Sequence, residues 1–143
     1  PLLPPGHPLD LTVTATDFRG HPEPLRLHSP GMIEETEHRM PIAFRSISAG
    51  PPLADRLELV LAARATASFP GAFPPLTLNE IDRLAASEGQ KWPGREAFLA
   101  RIMPAHVRRN TLGEVAMIDG SVLVNAPFGA ALAALPGRPA QRE

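Results

Sequence analysis

The chain has no cysteine, no tyrosine and a single tryptophan. Without cysteine there is no disulfide framework, and neither a thiolate nucleophile nor a thiolate metal ligand. An excess of either charge is also missing: the formal net charge is −1. Nucleic-acid binding draws on a basic surplus, so no nucleic-acid partner is expected. No apolar run approaches the roughly 18 residues of a membrane span, which leaves only peripheral contact with a membrane. The sequence holds no G-x-S-x-G, no G-x-G-x-x-G and no G-x-x-x-x-G-K motif. Its five histidines, His7, His21, His28, His38 and His106, form no H-x-H or H-x-x-x-H pair. Neither a metal site nor a cofactor is therefore expected. The absence of cysteine is weakly compatible with a reducing compartment, so a cytoplasmic location is favoured.

What is present fits a single domain of 143 residues with 43% hydrophobic residues, enough to bury a core. Eighteen prolines point to short elements joined by stiff connections. Residues 1–8 form a loose proline-rich start, and residues 136–143 a loose tail. Leu11, Val13 and Ala15 alternate with Thr12, Thr14 and Thr16, which predicts a strand over 9–18. Residues 17–22 read as a turn, 23–28 as a returning strand, and Ser29-Pro30-Gly31 as the close of a hairpin. Glu34 to Arg39 reads as a solvated polar run, and 41–44 as one more short strand. Ser46-Ile47-Ser48-Ala49-Gly50 imitates a nucleophile elbow but lacks its first glycine and runs straight into Pro51-Pro52. It is read as a loop, with Ser48 rejected as a nucleophile.

Leu53, Leu57, Val60 and Leu61 recur at helical spacing and predict a helix over 53–68, stopped by Pro70. The rigid apolar segment 69–75 is either a packed surface turn or a pocket wall. A second helix starts with Asn79 as cap and ends before Gly89. A third covers 93–103, with Trp92 anchoring the joint. His106-Val107-Arg108-Arg109 reads as a solvated basic loop in preference to a phosphate site. Residues 110–113 form a turn, and Pro127 begins a short helix over 127–135.

The stretch 115–128 carries the chemical interest. Its apolar opening, 115–118, suits a strand buried on both faces, and Asp119 follows at the strand's carboxyl end. Asp119-Gly120 then reads in two ways: as a tight turn between strands 115–118 and 122–124, or as a reacting group where ligands gather in α/β sheets.

Two segments together resemble the patatin-like phospholipase family. Ala63-Arg64-Ala65-Thr66-Ala67-Ser68-Phe69-Pro70-Gly71-Ala72-Phe73-Pro74-Pro75 resembles that family's helix ending in small residues before F-P and an apolar loop. Ile118-Asp119-Gly120-Ser121-Val122-Leu123-Val124-Asn125-Ala126-Pro127 resembles its D-G-[GA] motif with the following N-x-P, although Ser121 stands at the third position. The strand Leu9 to Asp17 is similar to one the family places before both. The resemblance covers the later half to two-thirds of such a domain and implies an α/β fold. It implies part of a three-layer α/β/α domain with a mixed, mainly parallel sheet.

The resemblance also implies a serine–aspartate dyad that hydrolyses acyl esters of lipids without metal. Asp119 is then the base, Ser68, Phe69 and Phe73 border the substrate, and Gly120 and Asn125 support the motif. A dyad carboxylate must accept the serine proton directly, so burial beside residues such as Met117, Ile118 and Phe73 has to strengthen it as a base. Gly120 leaves room for the serine turn. The family's nucleophile and glycine-rich oxyanion loop lie upstream of the first strand, and neither is present. A fragment of this kind is expected to be inactive alone. Its exposed sheet edge invites homo-oligomer formation or pairing with the missing half. The alternative is a non-catalytic module that binds a lipid or a protein on the same scaffold.

Overall fold

The computed structural model describes residues 8–26, 28–29, 31–46 and 52–137. The Ser48 segment and most of both loose ends lie outside these residues. Two long strands, β1 (Leu9–Leu25) and β2 (Ile33–Ser46), form an antiparallel hairpin. A short β3 (Met117–Asp119) lies along the other side of β1, again antiparallel, giving the order β2-β1-β3. Helices and strands are thus both present, but the sheet is wholly antiparallel, which corrects the expectation of a mainly parallel one. The physical reason is local. Only residues 26–32 separate β1 from β2, whereas a parallel neighbour needs a crossover of a dozen or more residues.

The expected turn at 17–22 is a second correction, because β1 runs through it. From Thr16 to His21, β1 advances five positions while β2 retreats only two, from Arg39 to Glu37. The surplus forms a bulge in which Gly20 takes φ 74°, a conformation that favours glycine. Pro22 and Pro24 are tolerated because the β3 ladder ends at Asp17, leaving β1 an edge strand where a missing N–H costs nothing. The run Glu34 to Arg39 and the short strand at 41–44 are both parts of β2. No strand forms at 122–124. Gly120–Val122 is instead a 3-10 turn capped by Asp119.

One face of the hairpin presents Ala15, Met40, Ile42 and Phe44 to the helices. Against it packs α1 (Arg56–Thr66), through Leu57, Leu61, Ala62 and Ala65. Asp55 caps that helix, accepting a hydrogen bond from Leu57 N at 2.8 Å. α2 (Leu78–Ser87) starts at Thr77, so Asn79 lies inside the first turn and is not its cap. α3 (Arg95–Ile102) stacks Phe98 on Phe44 at 6.1 Å between centroids, with Trp92 tilted against Phe98 at 6.0 Å. The basic segment at 106–109 is helical, within α4 (Pro104–Arg109), and not a loop. Burying residues such as Ile42, Leu57, Leu61 and Leu99 contributes about 1.5–3 kcal/mol each. α5 (Phe128–Ala134) lies toward the threonine face of β1. There a groove of about 450 Å³ runs between Thr12, Thr14 and Pro41 on one side and Val124, Pro127 and Ala130 on the other.

Candidate functional site

Asp119 is fixed by its main chain from three directions. Its N–H donates to Ser68 O at 3.1 Å. Its carbonyl accepts from Thr16 Oγ1 at 3.2 Å. Two residues earlier, Met117 and Leu76 exchange N–H···O bonds of 2.8 Å in both directions. The two segments singled out in the sequence, 63–75 and 118–127, are therefore joined at Ser68 and Asp119. The carboxylate is half-buried. Oδ1 accepts from Ser121 N at 2.9 Å and so caps the 3-10 turn. Oδ2 has no hydrogen-bond partner among the described residues. The turn reading and the chemical reading thus use different oxygens of one side chain.

The supporting residues divide. Ser68 is fully buried, and its hydroxyl donates to Arg64 O at 2.7 Å while accepting from the Arg64 guanidinium. It positions Asp119 through its carbonyl and does not border open space. Phe69 and Phe73 are each 57% exposed, so Phe73 leaves the expected desolvation of Asp119 unsupplied. The loop that carries them is braced. Arg64 also donates to Pro74 O at 3.2 Å and to Glu80 Oε1 at 2.9 Å, and Phe73 N closes on Phe69 O at 3.0 Å. Asn125 is exposed. Gly120 is indispensable for a different reason from the one expected. The space beside it is filled by Thr14 of β1, which a Cβ at Gly120 would meet at 2.3 Å.

The structure also assembles a group that spacing along the sequence does not reveal. Asp17, fully buried at the bulge, places Oδ2 2.8 Å from His106 Nε2 and 3.4 Å from His21 Nδ1. Its Oδ1 accepts from Arg19 N at 3.2 Å. His106 is buried too, and its Nδ1 lies 2.9 Å from Thr111 Oγ1. His21 and His106 meet edge to face at 5.3 Å, and His38 Nδ1 donates to the Asp17 carbonyl at 2.7 Å. A search for paired histidines misses this group, since His21 and His106 lie far apart in sequence. The available signal was Asp17 and His21, an Asp-x-x-x-His pair around a glycine. Within the basic segment, His106 faces Asp17 and Arg109 pairs with Glu34 at 3.0 Å. No phosphate is needed to explain either residue.

No family model, curated protein or solved structure matches the chain.

Proposed function

We propose that Asp119 is the base of a serine–aspartate dyad in a patatin-like acyl hydrolase that acts on lipid esters. The nucleophilic serine is then carried by polypeptide outside these 143 residues. One observation carries the proposal. The two segments that resemble the family meet at the Ser68–Asp119 main-chain hydrogen bond, and Asp119 Oδ2, at the end of a buried strand, has no partner among the described residues. A serine hydroxyl attacks an acyl carbon well only when a base takes its proton, and Oδ2 is the lone pair available for that. The partial exposure of Asp119 fits a site that is completed when the nucleophile-bearing element closes over it. That closure would desolvate the carboxylate and strengthen it as a base. Oxyanion donors are then carried by that outside polypeptide as well.

The test is to extend the chain at its amino end with the gene's preceding codons and assay hydrolysis of a short-chain ester. Asp119→Asn should lower turnover by about 10²–10⁴-fold, the usual worth of a general base. Wild-type turnover in that variant refutes the proposal, as do preceding codons without a G-x-S-x-G. The 143-residue chain alone should resist a fluorophosphonate serine probe, and stoichiometric labelling would count equally against it.

A second reading, a binding module on this scaffold, draws on another observation. Phe128, Leu132 and Leu135, on and beside α5, are all more than half exposed, as is Leu123. Apolar side chains clustered in this way mark a surface that another chain or a lipid covers. An extended protein without esterase activity that binds lipid vesicles would favour the module.

A further inference from the structure

We infer that Asp17, His21 and His106 form a binding site for a divalent transition-metal ion of the zinc type. The three candidate ligand atoms, Asp17 Oδ2, His21 Nδ1 and His106 Nε2, lie within 4.8 Å of one another. A tetrahedral zinc ion with ligand bonds of about 2.0–2.1 Å sets its ligand atoms about 3.3 Å apart. The two carboxylate–imidazole separations, 2.8 and 3.4 Å, bracket that value. Admitting the ion requires Asp17 and His106 to part slightly and the two imidazole nitrogens, within 4.8 Å of each other, to converge on it.

Charge and hydrogen bonding point the same way. Asp17 is fully enclosed, and its ion-pair partners among the described residues are imidazoles, with neither lysine nor arginine. A carboxylate enclosed in this way is costly unless a positive charge stands beside it in the site shielded from water. A divalent cation supplies the missing charge and accepts lone pairs from both rings. The outer contacts suit ligation as well. His106 Nε2 now donates to Asp17 Oδ2 at 2.8 Å; with an ion bound, His106 would keep its proton on Nδ1 for Thr111 Oγ1, 2.9 Å away, and offer Nε2 as the ligand. This is how histidine ligands are usually oriented by a second partner. His21, whose side chain is 12% exposed, gives the site its edge to solvent, from which a water could serve as fourth ligand.

Nitrogen-rich ligation by two histidines and one carboxylate selects zinc and its neighbours over magnesium or calcium, which prefer all-oxygen shells. The ion would tie the β1 bulge to α4 across 89 positions of sequence. Asp17 pairs with Met117, two residues before Asp119. The same clamp therefore holds the strand on which Asp119 is registered.

The experiment uses the untagged 143-residue chain, stripped with a chelator and then titrated with Zn²⁺, with Co²⁺ as a spectroscopic stand-in. One equivalent of zinc should survive gel filtration and raise the melting temperature. Cobalt should give the intense visible bands of a tetrahedral complex, and excess Mg²⁺ should compete with neither. His21→Ala, at the solvent edge where folding is least at risk, should abolish retention and the cobalt spectrum. His28→Ala, outside the group, should leave both unchanged. Thr111→Val should weaken zinc binding roughly 10–100-fold. If wild type retains no zinc, or if His21→Ala retains as much as wild type, the site is a hydrogen-bonded network only and the inference fails. Neither result touches the assignment of Asp119, which is read by ester hydrolysis.

Discussion

Replacing Gly120 with alanine adds one methyl group where β3 turns away from β1. Its Cβ would lie 2.3 Å from the Thr14 carbonyl carbon, 2.3 Å from the carbonyl oxygen and 2.4 Å from Oγ1. Non-bonded carbons settle at about 3.5–4.0 Å, so the methyl intrudes by more than about 1 Å. Two of the three obstructing atoms are main chain, and no rotamer change moves them. β3 must part from β1, and the Thr14 Oγ1 to Val124 O bond of 3.3 Å is strained with it. Overpacking of a filled site costs about 1–3 kcal/mol, and a rigid obstruction places this case at the upper end. For a chain of this size about 3 kcal/mol lowers the melting temperature by about 6–12 °C. Thermal unfolding followed by circular dichroism reads this directly. The double variant Thr14→Ala, Gly120→Ala provides the sharper check. Because the main-chain clash survives it, the second substitution should recover little. A Gly120→Ala chain that melts with wild type, or full rescue by Thr14→Ala, would show that the close approach is not what fixes this residue.

Two further outcomes are expected. Arg64→Met removes the donor that holds the Ser68 hydroxyl, the Pro74 carbonyl and Glu80. It should cost about 1–3 kcal/mol in urea titration, because these charged hydrogen bonds are lost and the buried Ser68 hydroxyl keeps only its bond to the residue 64 carbonyl, and should speed proteolytic nicking within 69–75. Glu58 has its carboxyl pushed above the usual value, chiefly by burial and against the pull of Arg101. The folded state therefore binds this proton more tightly than the unfolded chain does, and stability falls as pH rises through the folded value. Glu58→Gln should accordingly stabilise the protein at neutral pH, by less than about 1 kcal/mol given its partial exposure. The gain should vanish in acid below the ordinary carboxylate range. A constant difference across that range would show that charge is not its cause.

The elements with local signals were legible in the sequence. The threonine alternation marks β1, the leucine spacing marks α1, and the short apolar run before Asp119 marks β3. The bulge was not. Gly20 and Pro22 carry the chemistry of a turn, and only the end of the β3 ladder at Asp17 makes them tolerable within a strand. Strand direction was equally hidden, since hydrophobic alternation looks the same in either sense. At the site, the Asp119-Gly120 pair could be found, but its dependence on Thr14 and Ser68 is a matter of tertiary contact. The burial of Asp17 is the clearest case. A residue read as a turn is enclosed by a histidine 89 positions away, and no window of sequence contains both.

The position of β3 has a consequence for how the protein folds. β1 and β2 are close in sequence and can pair at once, but the Thr16 to Asp119 contact spans 103 positions. Long-range pairings wait until the chain entropy of closing them is recovered by many contacts together. The hairpin and α1 should therefore form early, and Asp119 should reach its place only when β3 docks. On a ribosome this carboxylate would be set only after the hairpin and α1 to α4, which position it, have been synthesised.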